Sequence, residues 1–376
     1  MILGINASRA KSGGAKGHLV GMLSDADPTL HGFSRVHVWS YSELLGSLPD
    51  RPWLVKHCPA ATRMSILYQL AWERFYLPKA LRSKGCNILF NVDAGTVCRF
   101  HPNITMSRDM LSYESGEIDR YGWSKARLRL VVLRWVQNTS LRQADGTIFL
   151  TKYASQVIQS LCGASKRVVL IPHGVGESFR SVKNLSDWPT QKERPIECLY
   201  VSNAAPYKHQ WQVVKAIGLL RMKGYSLRLT LVGGGEGPAQ ARLLAQIKES
   251  DPNNEFVRQI PFVPQGKLPE YFSQADLFVF ASSCENMPNT LIEAMAAGLP
   301  IACSDRGPMP EVLQDAGCYF DPEKPVDIAA AIERLILNEA LRLNCASKAR
   351  DLAKAFSWRR TTGETFAFIS QVLNSK

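Results

Sequence analysis

Short apolar runs of strand length alternate with longer amphipathic or wholly apolar stretches along most of the chain, the order of an α/β protein. The clearest unit spans 275–312. Leu277–Ala281 is a short apolar run, Leu291–Ala297 is an apolar helix closed by Gly298, and Pro300–Cys303 is a second strand. Strands apolar on both faces belong to parallel sheets, whose functional residues gather in loops beyond the carboxyl ends of the strands. Further strands are expected at residues 2–6, Gly32–Trp39, Trp53–His57, Ile88–Phe90, Ile104–Ser107, Gly146–Thr151, Val168–Ile171, Ile196–Val201, Leu227–Val232 and Gly317–Phe320, with Val257 and Ile260–Phe262 as extended sequence. Helical patterns fall at His18–Ser24, Arg63–Gly85 (to be kinked or divided by Pro78), Tyr121–Leu141, Lys152–Cys162, Gln210–Leu220, Ala239–Lys248, Leu268–Ala275, Val326–Leu337, Glu339–Ala355 and Trp358–Val372. A chain of 376 residues suits two domains better than one.

Within 275–312, Glu285 lies in the loop after the first strand. Glu293 lies about two turns into the helix zone, with Pro288 near the helix start. Alone, such an acidic pair is equally a solvated loop residue and a surface ion-pair partner. Beside a helix N-terminus the pair gains meaning. The helix end offers N–H groups and partial positive charge to phosphate, and the carboxylates accept from the hydroxyls of a polyol. Phosphate plus polyol points to a nucleotide sugar.

The stretch Glu285, Asn286-Met287-Pro288-Asn289-Thr290-Leu-Ile292, Glu293-Ala-Met-Ala-Ala-Gly-Leu-Pro300, with Gly307-Pro-Met-Pro-Glu311 after it, resembles the retaining glycosyltransferases of the large family-4 group. The resemblance implies the GT-B architecture: two Rossmann-like domains facing across a cleft, with a C-terminal helix returning to the first. The expected division is an acceptor-binding domain over 1–176, a linker over 177–195, a nucleotide-sugar-binding domain over 196–355, and the returning helix over 356–376. It also implies roles. Glu285 contacts sugar hydroxyls, Glu293 the ribose, and Lys208 the donor diphosphate. Gly234 and the backbone near Val263 approach the nucleotide, and Asn286, Met287, Pro288, Asn289 and Thr290 bring helix N–H groups to the donor. Relatives carry an Arg near the place of Asn203; Arg306 or Arg9 are candidates to replace it. In the first domain the loop with Gly13, Gly14 and Lys16 is expected to approach phosphate or acceptor. Asp109, after a strand where relatives place His-Asp, is expected to orient the acceptor hydroxyl, with Arg108 in the position of that His and His101 as an alternative.

Forty-five Lys and Arg against 33 Asp and Glu give a net charge of +12, and phosphate-bearing partners are the class this implies. Much of the charge lies in two helical patterns, 63–84 and 121–142. The second carries Lys125, Arg127, Arg129, Arg134 and Arg142 beside Leu128, Val131, Val132, Trp135 and Val136. Two packings fit it: an amphipathic helix on an anionic membrane surface, or a helix that buries its apolar residues in the domain core and leaves a solvated basic face. The start of the chain reads as a strand and no apolar run reaches membrane-span length, so a cytoplasmic protein is expected, peripheral on the inner face of the membrane where a lipid-linked saccharide acceptor would lie.

Nine scattered cysteines without a Cys-x-x-Cys pair argue for a reducing compartment and against zinc or disulfides. Neither a metal nor a cofactor is called for, and the resemblance implies a GDP- or UDP-sugar as donor substrate. Asp25-Ala-Asp27 spells a metal-binding triplet, but it precedes Pro28 in a turn. No recognition helix, zinc finger or RNA-binding motif accompanies the charge, so nucleic acid is not an expected partner. A nucleotide-sugar epimerase or phosphorylase of the same fold, or a non-catalytic nucleotide-sugar-binding subunit, is the alternative reading.

Overall fold

The computed structural model describes residues 1–11, 13–180, 188–189 and 194–375. The chain divides into two compact units, Met1–Gly174 with Ser357–Lys376, and Val175–Phe356. Of the stretch 177–195 expected as a linker, residues 181–187 and 190–193 lie outside the described residues. Its remainder is anchored: Phe179 packs edge-on against Phe272 at 5.3 Å, and Arg194 pairs with Asp276 at 2.5 Å.

The first unit holds seven strands: β1 Ile2–Asn6, β2 Arg35–Trp39, β3 Leu54–His57, β4 Ile88–Asn91, β5 Asn103–Met106, β6 Gly146–Phe149 and β7 Val168–Leu170. They form one parallel sheet in the order β3-β2-β1-β4-β5-β6-β7. The second unit holds β8 Ile196–Val201, β9 Leu227–Val232, β10 Val257–Ile260, β11 Leu277–Phe280, β12 Ile301–Ser304 and β13 Cys318–Phe320, parallel in the order β10-β9-β8-β11-β12-β13. Central strands such as β4, β6, β11 and β12 are buried at every residue, which is why their sequences run apolar rather than alternate. Both sheets are doubly wound, the Rossmann-like arrangement of the GT-B fold.

The C-terminal helix Trp358–Asn374 belongs to the first unit. It lies beside the helix Gly13–Ser24: Thr362 Oγ1 donates to the Met22 carbonyl at 2.9 Å, and the Trp358 ring fills the space a side chain at Gly21 would need. Phe366 packs on Phe33, and Phe368 with Val372 cover Gly146 at the start of β6.

The structure refines three local expectations. The Arg63–Gly85 pattern is divided into Ile66–Ala71, a π-turn Trp72–Tyr76 and Leu77–Ser83. Pro78 sits at the start of the last piece, where its missing N–H costs no bond. Asp27 is a cap, accepting from the Thr29 N–H at 3.0 Å ahead of the turn Pro28–His31. The helix expected over 121–141 runs Lys125–Gln143 and does not bury its apolar residues: Leu128 is 65% exposed, Val132 53% and Trp135 70%. Its inward side is Gln137, Ser140 and Leu141, so the core-packing alternative for its valines and tryptophan fails. Among the described residues no helix is long and apolar enough to cross a membrane.

Candidate functional site

In the second unit the chain leaves β8 toward β9 on one side and reaches β11 on the other. The carboxyl ends of β8 and β11 therefore border the point where the winding reverses, the place where open parallel sheets receive ligands. Lys208 follows β8 and Glu285 follows β11, and their side chains form an ion pair there, 11% and 15% exposed. The loops are fixed around them. Tyr200, wholly buried in β8, donates its hydroxyl to the Lys208 carbonyl at 2.6 Å. Ser283 donates its N–H to the Tyr207 carbonyl at 2.8 Å, and the Ser283 hydroxyl meets His209 Nε2 at 2.9 Å. His209 has φ +46°, a left-handed conformation that favours glycine and turns the chain into the helix Gln210–Met222.

The Gly233–Gly237 loop follows β9 on the same edge. Gly233 has φ +115°, and a Cβ there would stand 2.3 Å from the Ser202 carbonyl oxygen; only glycine lets the two loops touch. The Gly234 carbonyl accepts from the Ala204 N–H at 3.2 Å, next to exposed Asn203.

The helix of the βαβ unit spans Asn289–Ala297, so Glu293 sits in its second turn rather than two turns deep. Asn286, Met287 and Pro288 are buried in the approach to it, and Asn289 and Thr290 are half-buried at its start. Glu293 is buried. One carboxylate oxygen accepts from Gln265 Nε2 at 2.6 Å, while Oε2 is buried with no hydrogen-bond partner. Burial pushes its pKa up to about 8, only partly opposed by Gln265. Gln265 follows Val263, half-buried, and Phe262, 82% exposed, just past the carboxyl end of β10. In the same βαβ unit as Glu285, the half-satisfied Glu293 carboxyl can accept a hydroxyl, while the Lys208 ammonium can meet a phosphate. Of the arginines that could stand in for the one absent at Asn203, Arg306 pairs with Asp305 and Asp321 at 3.3 and 3.2 Å. Arg9, in the first unit, pairs with Glu73 at 3.3 Å.

The first unit has its own reversal point, between β1 and β4. The residues expected there are only partly together. Gly13, Gly14 and Lys16 lie in the first turns of the helix Gly13–Ser24, not in a loop, and neither glycine has a positive φ. Asp109 stands just past the carboxyl end of β5. Its oxygens accept from the Leu111 N–H at 3.1 Å and Gln137 Nε2 at 3.2 Å, and burial raises its pKa. His101 does not join it. His101 precedes β5, at the amino edge of the sheet, where Nδ1 meets Asp145 at 2.8 Å; a parallel sheet puts the two ends of one strand on opposite edges. At the carboxyl edge a different set gathers. Arg108 has two buried guanidinium nitrogens without partners, and its pKa is lowered to about 10 by burial. His18 is buried with both ring nitrogens unpartnered and stacks on His173 at 4.8 Å, its pKa held low by burial and by His173 and Arg108. Among the described residues no group of three His, Cys, Asp or Glu is placed to hold a metal.

Comparison with known proteins extends this picture. Residues 183–352, just under half the chain, match the family model described as glycosyl transferases group 1. That match replaces the family-4 group named by the resemblance. A relative, O-antigen chain mannosyltransferase B of Escherichia coli, is 30% identical over 167 residues, covering 44% of this chain and 44% of that protein. The chain thus spans less than half the length of this curated relative. Sucrose-phosphate synthase from Thermosynechococcus elongatus superposes with a TM-score of 0.76 at 16% identity, over 100% of both chains. The HepE protein of Anabaena, in complex with UDP and glucose, does so with a TM-score of 0.71 at 18% identity, over 100% of this chain and 99% of that one. These likenesses establish the fold.

Sequence reasoning missed Gln265, His18 and the Ser283–His209 tie, and it did not assign a role to Arg108. For Gln265 and His18 the chain carries no local signal.

Proposed function

We propose that this chain is a retaining glycosyltransferase that moves a hexose-type sugar from a GDP- or UDP-sugar to a saccharide acceptor. The Lys208–Glu285 pair at the reversal point of the second sheet carries this reading, together with half-paired Glu293 in the helix that follows Glu285. An arriving diphosphate competes for the Lys208 ammonium and releases Glu285 to accept from sugar hydroxyls. Glu293 takes a ribose hydroxyl on Oε2. As the glycosidic bond breaks, Lys208 and the N–H groups at the start of the helix Asn289–Ala297 stabilise the charge on the leaving diphosphate. No covalent nucleophile is assigned, so the acceptor attacks on the face the diphosphate leaves. Asp109 is the proposed acceptor-orienting group of the first unit, a raised pKa suiting it to take a proton. The UDP and glucose of the Anabaena complex and the name of the mannosyltransferase relative support the donor class.

The acceptor is proposed to be lipid-linked and met at an anionic membrane surface, on the cytoplasmic side. Support comes from the outward apolar residues of two neighbouring elements: Leu67, Tyr68 and Phe75 on one, Leu128, Val132 and Trp135 on the other. Lys125 and Arg129 flank the second set, and interfacial aromatics with cations are how a helix lies on anionic lipid.

The test is binding of GDP-, UDP-, dTDP- and ADP-sugars to the purified chain, its Glu293→Ala and Lys208→Ala variants, and product analysis with and without acceptor. Selective binding of one nucleotide, weakened by both substitutions, with sugar released only when acceptor is present, is the expected result. Donor isomerised without acceptor would make it an epimerase, and binding without turnover a non-catalytic subunit. No binding by folded protein would end the reading.

A further inference from the structure

In a right-handed doubly wound sheet, the connections β3–β4, β4–β5, β5–β6 and β6–β7 all run toward the same edge and belong on the same face. Three of them carry helices there: Ile66–Ala71 with its continuation to Ser83, Lys125–Gln143, and Lys152–Cys162. The β4–β5 connection, 92–102, carries none. Where its helix would lie there is a cavity of about 340 Å³, within the roughly 300–1,000 Å³ range of ligand sites. Leu70 and Phe75 line it from one flanking helix, Trp135 and Val136 from the other, and Val97 and Cys98 from the helix-less connection.

The polar groups of this cavity fall into two kinds. Asn91 and Asn103, on the strands, are already satisfied: the Asn91 amide reaches Thr105 and its oxygen accepts from Asn6, while Asn103 Nδ2 donates to the Phe100 carbonyl at 2.8 Å. They ask nothing of an occupant. Arg74, whose guanidinium lies over the Phe75 ring at 5.4 Å, and exposed Arg99 also line the cavity, and among the described residues neither forms an ion pair. The occupant that fits an apolar cavity with two guanidinium groups free of carboxylate partners is an alkyl chain ending in phosphate. The two walls are the elements whose outer faces expose Leu67, Tyr68, Phe75, Leu128, Val132 and Trp135.

We propose that this cavity is a lipid-chain site, which takes one hydrocarbon chain of a phosphate-bearing lipid and holds its phosphate on Arg74 and Arg99. The site deepens the membrane reading given above and rests on it: the lipid would be drawn from the surface on which the two helices lie, and His101, which lines the cavity, would serve here rather than at the carboxyl edge.

The test uses the full chain and monomeric alkyl phosphates of six, eight and ten carbons, followed by calorimetry, with inorganic phosphate and an alkyl glucoside as comparators. Affinity should rise on the order of tenfold for each two carbons, as burial of each CH₂ predicts. Val136→Trp and, independently, Ala71→Trp should abolish binding by filling the cavity, and Arg74→Gln should weaken it about tenfold. An unchanged far-UV circular dichroism spectrum and a cooperative unfolding transition of the first unit check that each variant is folded. Affinity independent of chain length, inorganic phosphate binding as tightly as octyl phosphate, the glucoside binding better than the phosphate, or folded Val136→Trp and Ala71→Trp binding normally would overturn the proposal. Sedimentation with vesicles of phosphatidylglycerol and phosphatidylcholine separates the two readings. Vesicle binding lost in the Leu128→Ser, Val132→Ser double variant but without chain-length dependence for alkyl phosphates keeps the membrane surface and removes the chain site. Absence of vesicle binding by the unmodified chain removes the membrane surface itself.

Discussion

Glu293→Gln is the most direct probe of the second unit, because it keeps the shape of the side chain and removes its titration. In the native chain the carboxyl titrates near 8, against 4.5 when unfolded. Between those values the folded state holds a proton that the unfolded state has released, so stability falls as pH rises. The sign follows: the folded pKa is raised, and the contribution present below 4.5 is lost progressively until about pH 8, then stays constant. At 1.36 kcal/mol per pH unit the interval bounds the loss at about 5 kcal/mol, and burial relaxed by water reduces it to a few. The glutamine variant keeps the Gln265 bond and has no such slope. Urea unfolding of both proteins at pH 5, 6, 7 and 8, followed through the second unit, should give a variant that gains on the native chain by about 1 kcal/mol per unit. A donor sugar that meets the ionised carboxylate adds the converse: its affinity should rise with pH toward 8 in the native chain and stay flat in the variant. Parallel unfolding curves across that range would refute the buried, half-paired carboxyl as the state of this site.

Other substitutions test the neighbouring parts. Lys208→Gln should weaken binding of the donor by roughly 10- to 100-fold, the loss of one charge-assisted contact, whereas Glu285→Gln should leave nucleotide binding nearly intact and lower kcat by about two orders of magnitude; calorimetry and initial rates separate the two. Gly233→Ala should cost about 3 kcal/mol and several degrees in Tm, since its Cβ would meet the Ser202 carbonyl at 2.3 Å in a left-handed conformation; an unchanged thermal transition would mean that the two loops do not abut. His209→Gly relieves the φ of +46° but loses the Ser283 contact, so stability should change by less than about 1 kcal/mol while donor affinity falls. Phe366→Ala, in a ring that is 1% exposed against Phe33, should destabilise the first unit by about 3–5 kcal/mol, read from its unfolding transition.

What the sequence determined is the part governed by short-range rules. Buried parallel strands need continuous apolar runs, so Ile196–Val201 and Leu227–Val232 were legible to the residue, and Thr151 and Gly163 punctuate Lys152–Cys162 at the expected ends. Glu285 and Lys208 stood out in the sequence because each follows a strand of a parallel sheet, whereas Glu293, inside the helix Asn289–Ala297, stood out only through its spacing from Glu285. Tertiary structure decided which faces were buried. The same apolar stripe on Lys125–Gln143 fits core or surface, and only the packing of Gln137 and Leu141 inward turned Trp135 outward. It also decided which edge each loop occupies: Asp109 and His101 are eight positions apart, yet β5 carries them to opposite ends of one sheet. Contacts such as Gln265 with Glu293 or His18 with His173 join residues far apart in the chain, and no local pattern encodes a pairing that sheet order alone brings about.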